Sequence, residues 1–431
     1  MFKSYINRKL QSYVKKYFKK HPDVRLVVVA GSVGKTTTKN AIATVLNERY
    51  RVRLHEGNHN SELSAPVAIL GLVYPENVKS FWQWQSVFSA ARKRIRRPLD
   101  VDVIIQELGT DRIGQIPAFG EYLKPDIAVV TAVSPEHMEY FGDMDTVAQE
   151  ELSVVNYSKL AIINRDDIDG SYAKYIENEN INTYGSTELA EYRYEFNDFV
   201  QGEGYTGSFI APEFEQPVRA KLSLAGEHSV RTAVAAGTVA VKLGLGPDEI
   251  ARGLSKIKAI PGRMNILRGI NGSVIIDDSY NSSPLAAKSA LQTLYSFNAP
   301  QRIAVLGTMN ELGEGSSAIE HANLGLLCDP VEINHVVTVG EEATLYIAPE
   351  SSKRGCHTVS FKSPLSAGAY VNKLLEPGTV VLFKGSQSGV FLEEAVKMSL
   401  HSADDDEQLV RQSESWMKTK QEFFDTLTPG E

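Results

Sequence analysis

Between residues 27 and 37 the chain reads VVVAGSVGKTT. Four apolar residues, Val27 to Ala30, run into Gly31, Ser32, Val33, Gly34, Lys35, Thr36 and Thr37. Apolar positions at helical spacing follow at Ala41, Ile42, Val45 and Leu46. That order predicts a buried strand, a glycine turn and the start of a helix. Such a turn directs several backbone N–H groups and a helix N-terminus at one point, which suits a phosphate chain. Lys35 would reach the outer phosphates as a point charge, and Thr36 would offer its hydroxyl to Mg²⁺. The usual Walker spacing wants a glycine at position 29, where this chain has Val29, so the loop is a shortened form, GxxGKTT.

Other chemistry-bearing residues fall where strands end. VDVIIQEL closes on Glu107. Acids at the C-terminal ends of strands in doubly wound sheets sit where ligands bind, so Glu107 is expected to join Thr36 on Mg²⁺. The segment DIAVVTAVSPEHMEYFG delivers His137 just past its apolar run, and LAIINRDD ends in Asn164, Asp166 and Asp167. His228, Ser229 and Arg231 lie near the start of a helical stretch, Pro261-Gly262-Arg263 follows, and SVIIDDSYNSSP ends in a polar turn.

These residues need a scaffold of strands and helices, and the patterning supplies one. The expected class is α/β: a P-loop central unit with a mostly parallel sheet, then a Rossmann-like C-terminal α/β unit built on RIAVLG, HVVTVG and TVVLFKGS. The expected boundaries are a basic amphipathic helix over 1–24, a central nucleotide-binding unit over 25–298, a C-terminal unit over 299–400 and an acidic, surface-lying extension over 401–431. Residues 183–224 read as a small β excursion. In the first segment seven Lys or Arg precede any acid, and Ile6, Leu10, Tyr13, Val14 and Tyr17 share one helical face. Two readings stay open for it: a helix packed on the nucleotide unit, or a helix lying on an anionic membrane surface. The cluster Arg92, Lys93, Arg94, Arg96 and Arg97 is likewise a phosphate or lipid contact, or a solvated helix face.

The 431 residues are 42% hydrophobic and 23% charged, a globular balance with room for two or three domains. A net charge of −8 argues against a general nucleic-acid binder. The N-terminus has charges but no apolar core segment, so no signal peptide is expected. Cys328 and Cys356 are too few for a four-cysteine zinc site and fit a reducing cytoplasm.

Taken in order, the motifs resemble the Mur ligase family, most closely its MurF type, over roughly residues 25–400. They are the phosphate loop GSVGKTTTK, Gly57-Asn58-His59-Asn60, Glu107-Leu108-Gly109 with Gly114, His137 with its following Phe141-Gly142, and Asn164–Asp167. Further on come Gly226–His228, Pro261–Arg263, Asp277–Pro284, Leu306–Gly313 with His321 beyond, and Lys384–Ser386. The resemblance implies an ATP-dependent amide ligase of cell-wall precursor type. A substrate carboxylate becomes an acyl phosphate, and an amine resembling D-Ala-D-Ala attacks it. It implies catalytic roles for Lys35, Glu107, His137 and Arg263. ATP would lie against Gly31–Thr37, His228, Ser229, Arg263, Asp278, Tyr280 and Asn281, between domains. Mg²⁺ would be held by Thr36, Glu107 and His137, and the amine by Glu311, Lys384 and Ser386.

Four departures stand out. Many family members carry a carbamylated lysine fourteen residues after the motif histidine; here that position is Glu151, expected to replace the carbamate on the second Mg²⁺. Ser229 stands where the family has an adenine-binding asparagine, and Ser61 replaces the second Asn of GN-x-NN. Finally, the phosphate loop begins so near the N-terminus that the UDP-gripping domain of MurF proteins is expected to be lacking. The carboxylate substrate would then be a small peptide, a lipid-linked one met at the inner membrane face through residues 1–20, or a precursor held by a partner. Two alternatives remain beside the cytoplasmic ligase: a MurT-like amidotransferase subunit, against which the cysteine count argues, and a degenerate nucleotide-binding scaffold.

Overall fold

The computed structural model describes residues 2–55, 57 and 59–427; Asn58 of the GN-x-N motif lies outside them. Fifteen strands form two sheets among these residues. The first contains β1 (Arg25–Ala30), β2 (Val52–Leu54), β3 (Val103–Glu107), β4 (Ile127–Val130), β5 (Leu160–Asn164), β6 (Ile181–Gly185), β7 (Tyr192–Val200), β8 (Gly204–Ile210) and β9 (Val218–Leu222), in the order β2-β3-β1-β4-β5-β6-β7-β8-β9. Pairing is parallel from β2 through β7 and antiparallel for β7–β8 and β8–β9. The expected β excursion is thus the far edge of the main sheet. β1 and β4 are apolar without alternation because helices cover both faces, as parallel strands require. The strand order reverses at β1, which lies between β3 and β4. The crevice beyond its C-terminal end is where open α/β sheets bind ligands.

The second sheet contains β10 (Asn265–Arg268), β11 (Val274–Asp278), β12 (Arg302–Gly307), β13 (His335–Val339), β14 (Thr358–Phe361) and β15 (Val380–Lys384), ordered β10-β11-β15-β12-β13-β14. Only β10–β11 is antiparallel. This corrects the expected boundary near residue 299. Residues 265–296 contribute two strands and the helix Pro284–Ser296 to the second sheet and its core. The change of sheet comes at the Pro261-Gly262 turn, a breaker stronger in kind than the FNAPQ segment after that helix.

The N-terminal helix Phe2–Lys20 buries Ile6, Leu10, Tyr13, Val14 and Tyr17, the five positions that share its apolar face. They join one core cluster with Trp84, Val87, Phe88 and Ala91 of the helix Phe81–Arg96. The stripe that would enter a bilayer is therefore occupied by packing. Arg94 pairs with Asp100, and Arg92 donates to the Tyr13 hydroxyl. No described helix is long and apolar enough to cross a membrane.

The tail is not a free extension. Its helix Glu414–Phe424 buries Lys420, whose ammonium lies 2.6 Å from Glu394 and 3.0 Å from Glu393. Arg411 is buried against the second unit as well.

Candidate active site

The phosphate loop leaves β1 through Gly31 at φ 118° and enters the helix Lys35–Leu46 through Gly34 at φ 84°. Both angles favour glycine. At Gly31 a Cβ would also meet the Thr131 hydroxyl oxygen at 2.4 Å. The loop is braced by the segment after β4: Ser32 N–H donates to the Ala132 carbonyl at 3.0 Å, and Ser134 N–H donates to the Ser32 hydroxyl at 2.7 Å.

Lys35 opens the helix and curls back onto its own loop, donating to the Gly31 carbonyl. Its ammonium lies 3.7 Å from Glu136. Burial disfavours the charge, but Glu136, Glu151 and Glu107 outweigh it and hold Lys35 above the ordinary lysine pKa. Thr36 donates to Glu107 at 3.0 Å. Glu107 in turn takes a 3.1 Å ion pair from Lys39 and a 3.2 Å bond from Asn60. Its burial would raise the carboxyl's pKa, yet Lys39 and Lys35 hold it below the usual range, so it is an anion at neutral pH. Lys39 follows Lys35 by one helical turn, a spacing that puts both on one face.

The second unit completes the cleft. Arg263 lies 3.5 Å from the Thr36 hydroxyl and 4.2 Å over the Tyr280 ring. Parallel register sets Asp278 beside Lys384, which explains their 2.7 Å ion pair. Burial pushes Asp278 upward and Lys384 opposes it. His137, at φ 48°, faces Glu311 at 3.3 Å and Asp111 at 3.6 Å. Met138 N–H also donates to the Glu311 carbonyl, so Glu311 ties the second unit to His137. His228 lines the cleft, and burial together with the Arg231 and Lys384 charges pushes its pKa down to about 3.

Of the residues expected in the site, all but Gly31, Glu151 and Ser386 line this cleft. Gly31 points its N–H the other way, to Glu151 at 2.6 Å. Glu151 is fully buried beneath the loop. Ser386 is buried too; it takes the Asn310 N–H at 2.8 Å and supports the cleft wall. Lys384 is held by Asp278 and the Asn281 carbonyl.

The expected metal set is only half gathered. Thr36 and Glu107 meet, while His137 and Glu151 do not converge with them, and no group of three His, Cys, Asp or Glu poised for a metal occurs among the described residues. Glu151 does approach Glu136, which sequence reasoning passed over. Burial pushes Glu136 well above the usual carboxylate range; Lys35 opposes this and Glu151 adds to it. One oxygen of each carboxylate is buried without a hydrogen-bond partner. Two buried carboxyl groups beside a phosphate loop, Glu136 already 3.7 Å from the Lys35 ammonium and Glu151 with one oxygen that accepts no hydrogen bond, fit a cation. The hydroxyl–carboxylate pair of Thr36 and Glu107 fits one equally well.

Residues 29–240 match the Mur ligase middle domain, and residues 262–387 match the Mur ligase glutamate ligase domain. The UDP-N-acetylmuramoyl-tripeptide–D-alanyl-D-alanine ligase of Bacillus subtilis is 28% identical over 404 residues, covering 91% of this chain and 79% of the relative. The Escherichia coli enzyme of that name is 26% identical over 86% of this chain and 76% of its own. Among solved structures, MurF from Thermotoga maritima in complex with ADP superposes with a TM-score of 0.75 at 24% identity, covering 91% of this chain and 83% of its own. MurF from Acinetobacter baumannii gives 0.74 at 22%, covering 92% and 80%. With two family domains in register over the two sheets, and likeness in sequence and fold over about nine-tenths of this chain and four-fifths of the relatives, the chain belongs to the Mur ligase family.

Proposed function

We propose that this chain is an ATP-dependent amide ligase that joins D-Ala-D-Ala, or an amine of that shape, to the carboxylate of a nucleotide-linked muramyl peptide. One observation carries the reading: a phosphate loop on the first sheet and a cation-lined wall on the second face one cleft, with Arg263 reaching to Thr36 across it. The family resemblance and the relatives' named activities support the same assignment.

Phosphoryl transfer demands alignment and charge neutralisation more than covalent help. The loop amides and Lys35 would hold the phosphates. Arg263 would sit where charge develops as the carboxylate takes the γ-phosphoryl group from ATP, giving an acyl phosphate and ADP. The amine would then attack the acyl carbon, lose its proton and expel inorganic phosphate. Mg²⁺ would neutralise phosphate oxygens, with Thr36 and Glu107 as its first holders. Glu151, with Glu136 beside it, would supply the anionic charge that a carbamylated lysine supplies elsewhere in the family. His137 and Glu311 would close the substrate end, and Asp278, Tyr280, Asn281, His228 and Ser229 would line the nucleotide. The proposed setting is the cytoplasm, where ATP and nucleotide-linked precursors are supplied.

The test is phosphate release with UDP-N-acetylmuramoyl-tripeptide and D-Ala-D-Ala, each alone and together. Turnover that needs both supports the reading. Turnover with ammonia in place of the dipeptide would point to an amidotransferase subunit, and none with any amine to a scaffold. A lipid-linked carboxylate is a second reading, favoured by one feature. Phe2, Phe81 and Trp82 are exposed in ring contact at one end of a basic two-helix layer.

A further inference from the structure

Residues 409–411 run along the outer side of the turn that carries Arg263. Arg411 is 8% exposed although it lies in the tail. Its guanidinium forks onto Glu393, with Nε 2.8 Å from Oε1 and Nη2 2.7 Å from Oε2. The remaining N–H groups reach two backbone carbonyls of the nucleotide wall, Ser279 at 2.9 Å and Tyr280 at 3.0 Å. Arginine's planar fork can satisfy a carboxylate and two carbonyls at once; a lysine ammonium cannot. The backbone at Arg411 is left-handed, φ 56°, a conformation that costs a non-glycine residue and persists where surroundings over-determine it.

The contacts continue inward. Two guanidinium groups approach the Tyr280 ring, Arg411 at 5.5 Å and Arg263 at 4.2 Å from its centroid. Tyr280 N–H donates to the Gly262 carbonyl at 2.9 Å. Val410 packs so closely on Gly262 that a Cβ there would come within 2.9 Å of it. Arg263, the next residue, extends to Thr36 of the phosphate loop. A run of direct contacts therefore joins the tail to the phosphate site through Ser279–Tyr280 and Arg263.

We infer that Arg411 is a positioning residue for nucleotide: it fixes the Ser279–Tyr280 backbone so that Tyr280 holds Arg263 toward the phosphate loop. This rests on the ligase reading only in so far as ATP is the nucleotide. Arg411 does not itself line the cleft or touch the phosphate loop; it reaches the cleft wall from behind, through Ser279 and Tyr280, so its effect must pass through Tyr280 and Arg263.

The test uses the full chain and measures Mg-ATP affinity by calorimetry, with circular dichroism to establish folding. Arg411→Ala should weaken ATP at least tenfold, and Arg411→Lys should weaken it nearly as much because the fork is lost. Lys420→Met removes the other buried tail cation, whose ammonium pairs with Glu393 and Glu394. It should lower the melting temperature but leave ATP affinity within twofold. In an Arg263→Ala background, Arg411→Ala should add less than twofold. Unchanged ATP affinity in folded Arg411→Ala or Arg411→Lys protein would overturn the inference. So would an equal loss in Lys420→Met, or full additivity with Arg263→Ala. Failure of the wild-type chain to bind ATP would instead overturn the ligase reading, so the two failures are distinguishable. Should Arg411→Ala not fold, Arg411→Lys carries the comparison.

Discussion

Lys35 and Glu107 divide the charge at the phosphate loop: a cation kept charged by three acids, and an anion kept charged by two lysines. Lys35→Ala removes a charged donor aimed at the outer phosphates, and kcat should fall at least about a hundredfold, the scale of losing one transition-state donor. Glu107→Gln would leave Lys39 buried beside a neutral amide, so steady-state kinetics should show loss of activity and thermal unfolding a lower melting temperature. Glu151 permits a sharper test. Bicarbonate depletion should leave turnover unchanged, because a side-chain carboxylate needs no CO₂; rescue by added bicarbonate would defeat that assignment. His228 gives a pH dependence with a definite sign. Its folded pKa lies below the unfolded value, so folding stability is full above about pH 6.5 and falls as pH drops toward 3, by up to about 1.4 kcal/mol per unit. His228→Gln should flatten the slope of melting temperature against pH between 6.5 and 5. The loop residues were legible because their order and spacing carry the chemistry. Lys39 was legible in principle, one turn after Lys35. Glu136 and Arg411 were not, since their partners lie on distant segments that only the fold brings near.

At the scale of elements, register does much of the positioning. Asp278 and Lys384 are more than a hundred residues apart, yet both close parallel neighbours, and the pairing puts them side by side. Sequence periodicity identifies each strand but not its neighbour, so the pairing of Lys384 with Asp278 across the sheet is invisible in it. The unit boundary was misread for the same reason: β10 and β11 look like a continuation of the first unit until their partners are known. The N-terminal helix shows the converse. Its pattern of buried positions was fully legible, while what covers them was left open between protein and membrane. Because Leu10 is completely buried there, Leu10→Ala should destabilise the chain by about 2–5 kcal/mol, read from chemical denaturation. Deleting the helix would expose the core beneath it, so truncation is a poor probe of lipid contact. Trp82→Ser, at an 80% exposed position, is cleaner. Reduced sedimentation with phosphatidylglycerol vesicles, with the melting temperature unchanged, would support a membrane contact through the aromatic end. Equal sedimentation would leave that face without a lipid role.

At the scale of the whole molecule, the cleft belongs to neither unit alone. Its phosphate loop comes from the first sheet, Asp278 and Lys384 from the second, and Arg263 from the turn between them. Direct contacts cross the cleft at both ends, Arg263 to Thr36 and Glu311 to His137. A nucleotide that spanned the cleft would touch both units and stabilise their arrangement as well as each fold. By mass action, Mg-ATP at a hundred times its dissociation constant adds about 2.7 kcal/mol to the stability of whatever must stay folded to bind it. If both units are needed, that stabilisation couples them. Scanning calorimetry at saturating Mg-ATP should then raise the melting temperature and draw any separate transitions of the two units together. Lys35→Ala should abolish most of the rise through the first unit. Lys384→Met, in the second unit, should reduce it too, although Lys384 stands on the opposite wall from the phosphate loop. A rise confined to one transition, indifferent to Lys384, would mean that nucleotide is gripped by the first unit alone and that the second unit's wall serves another ligand.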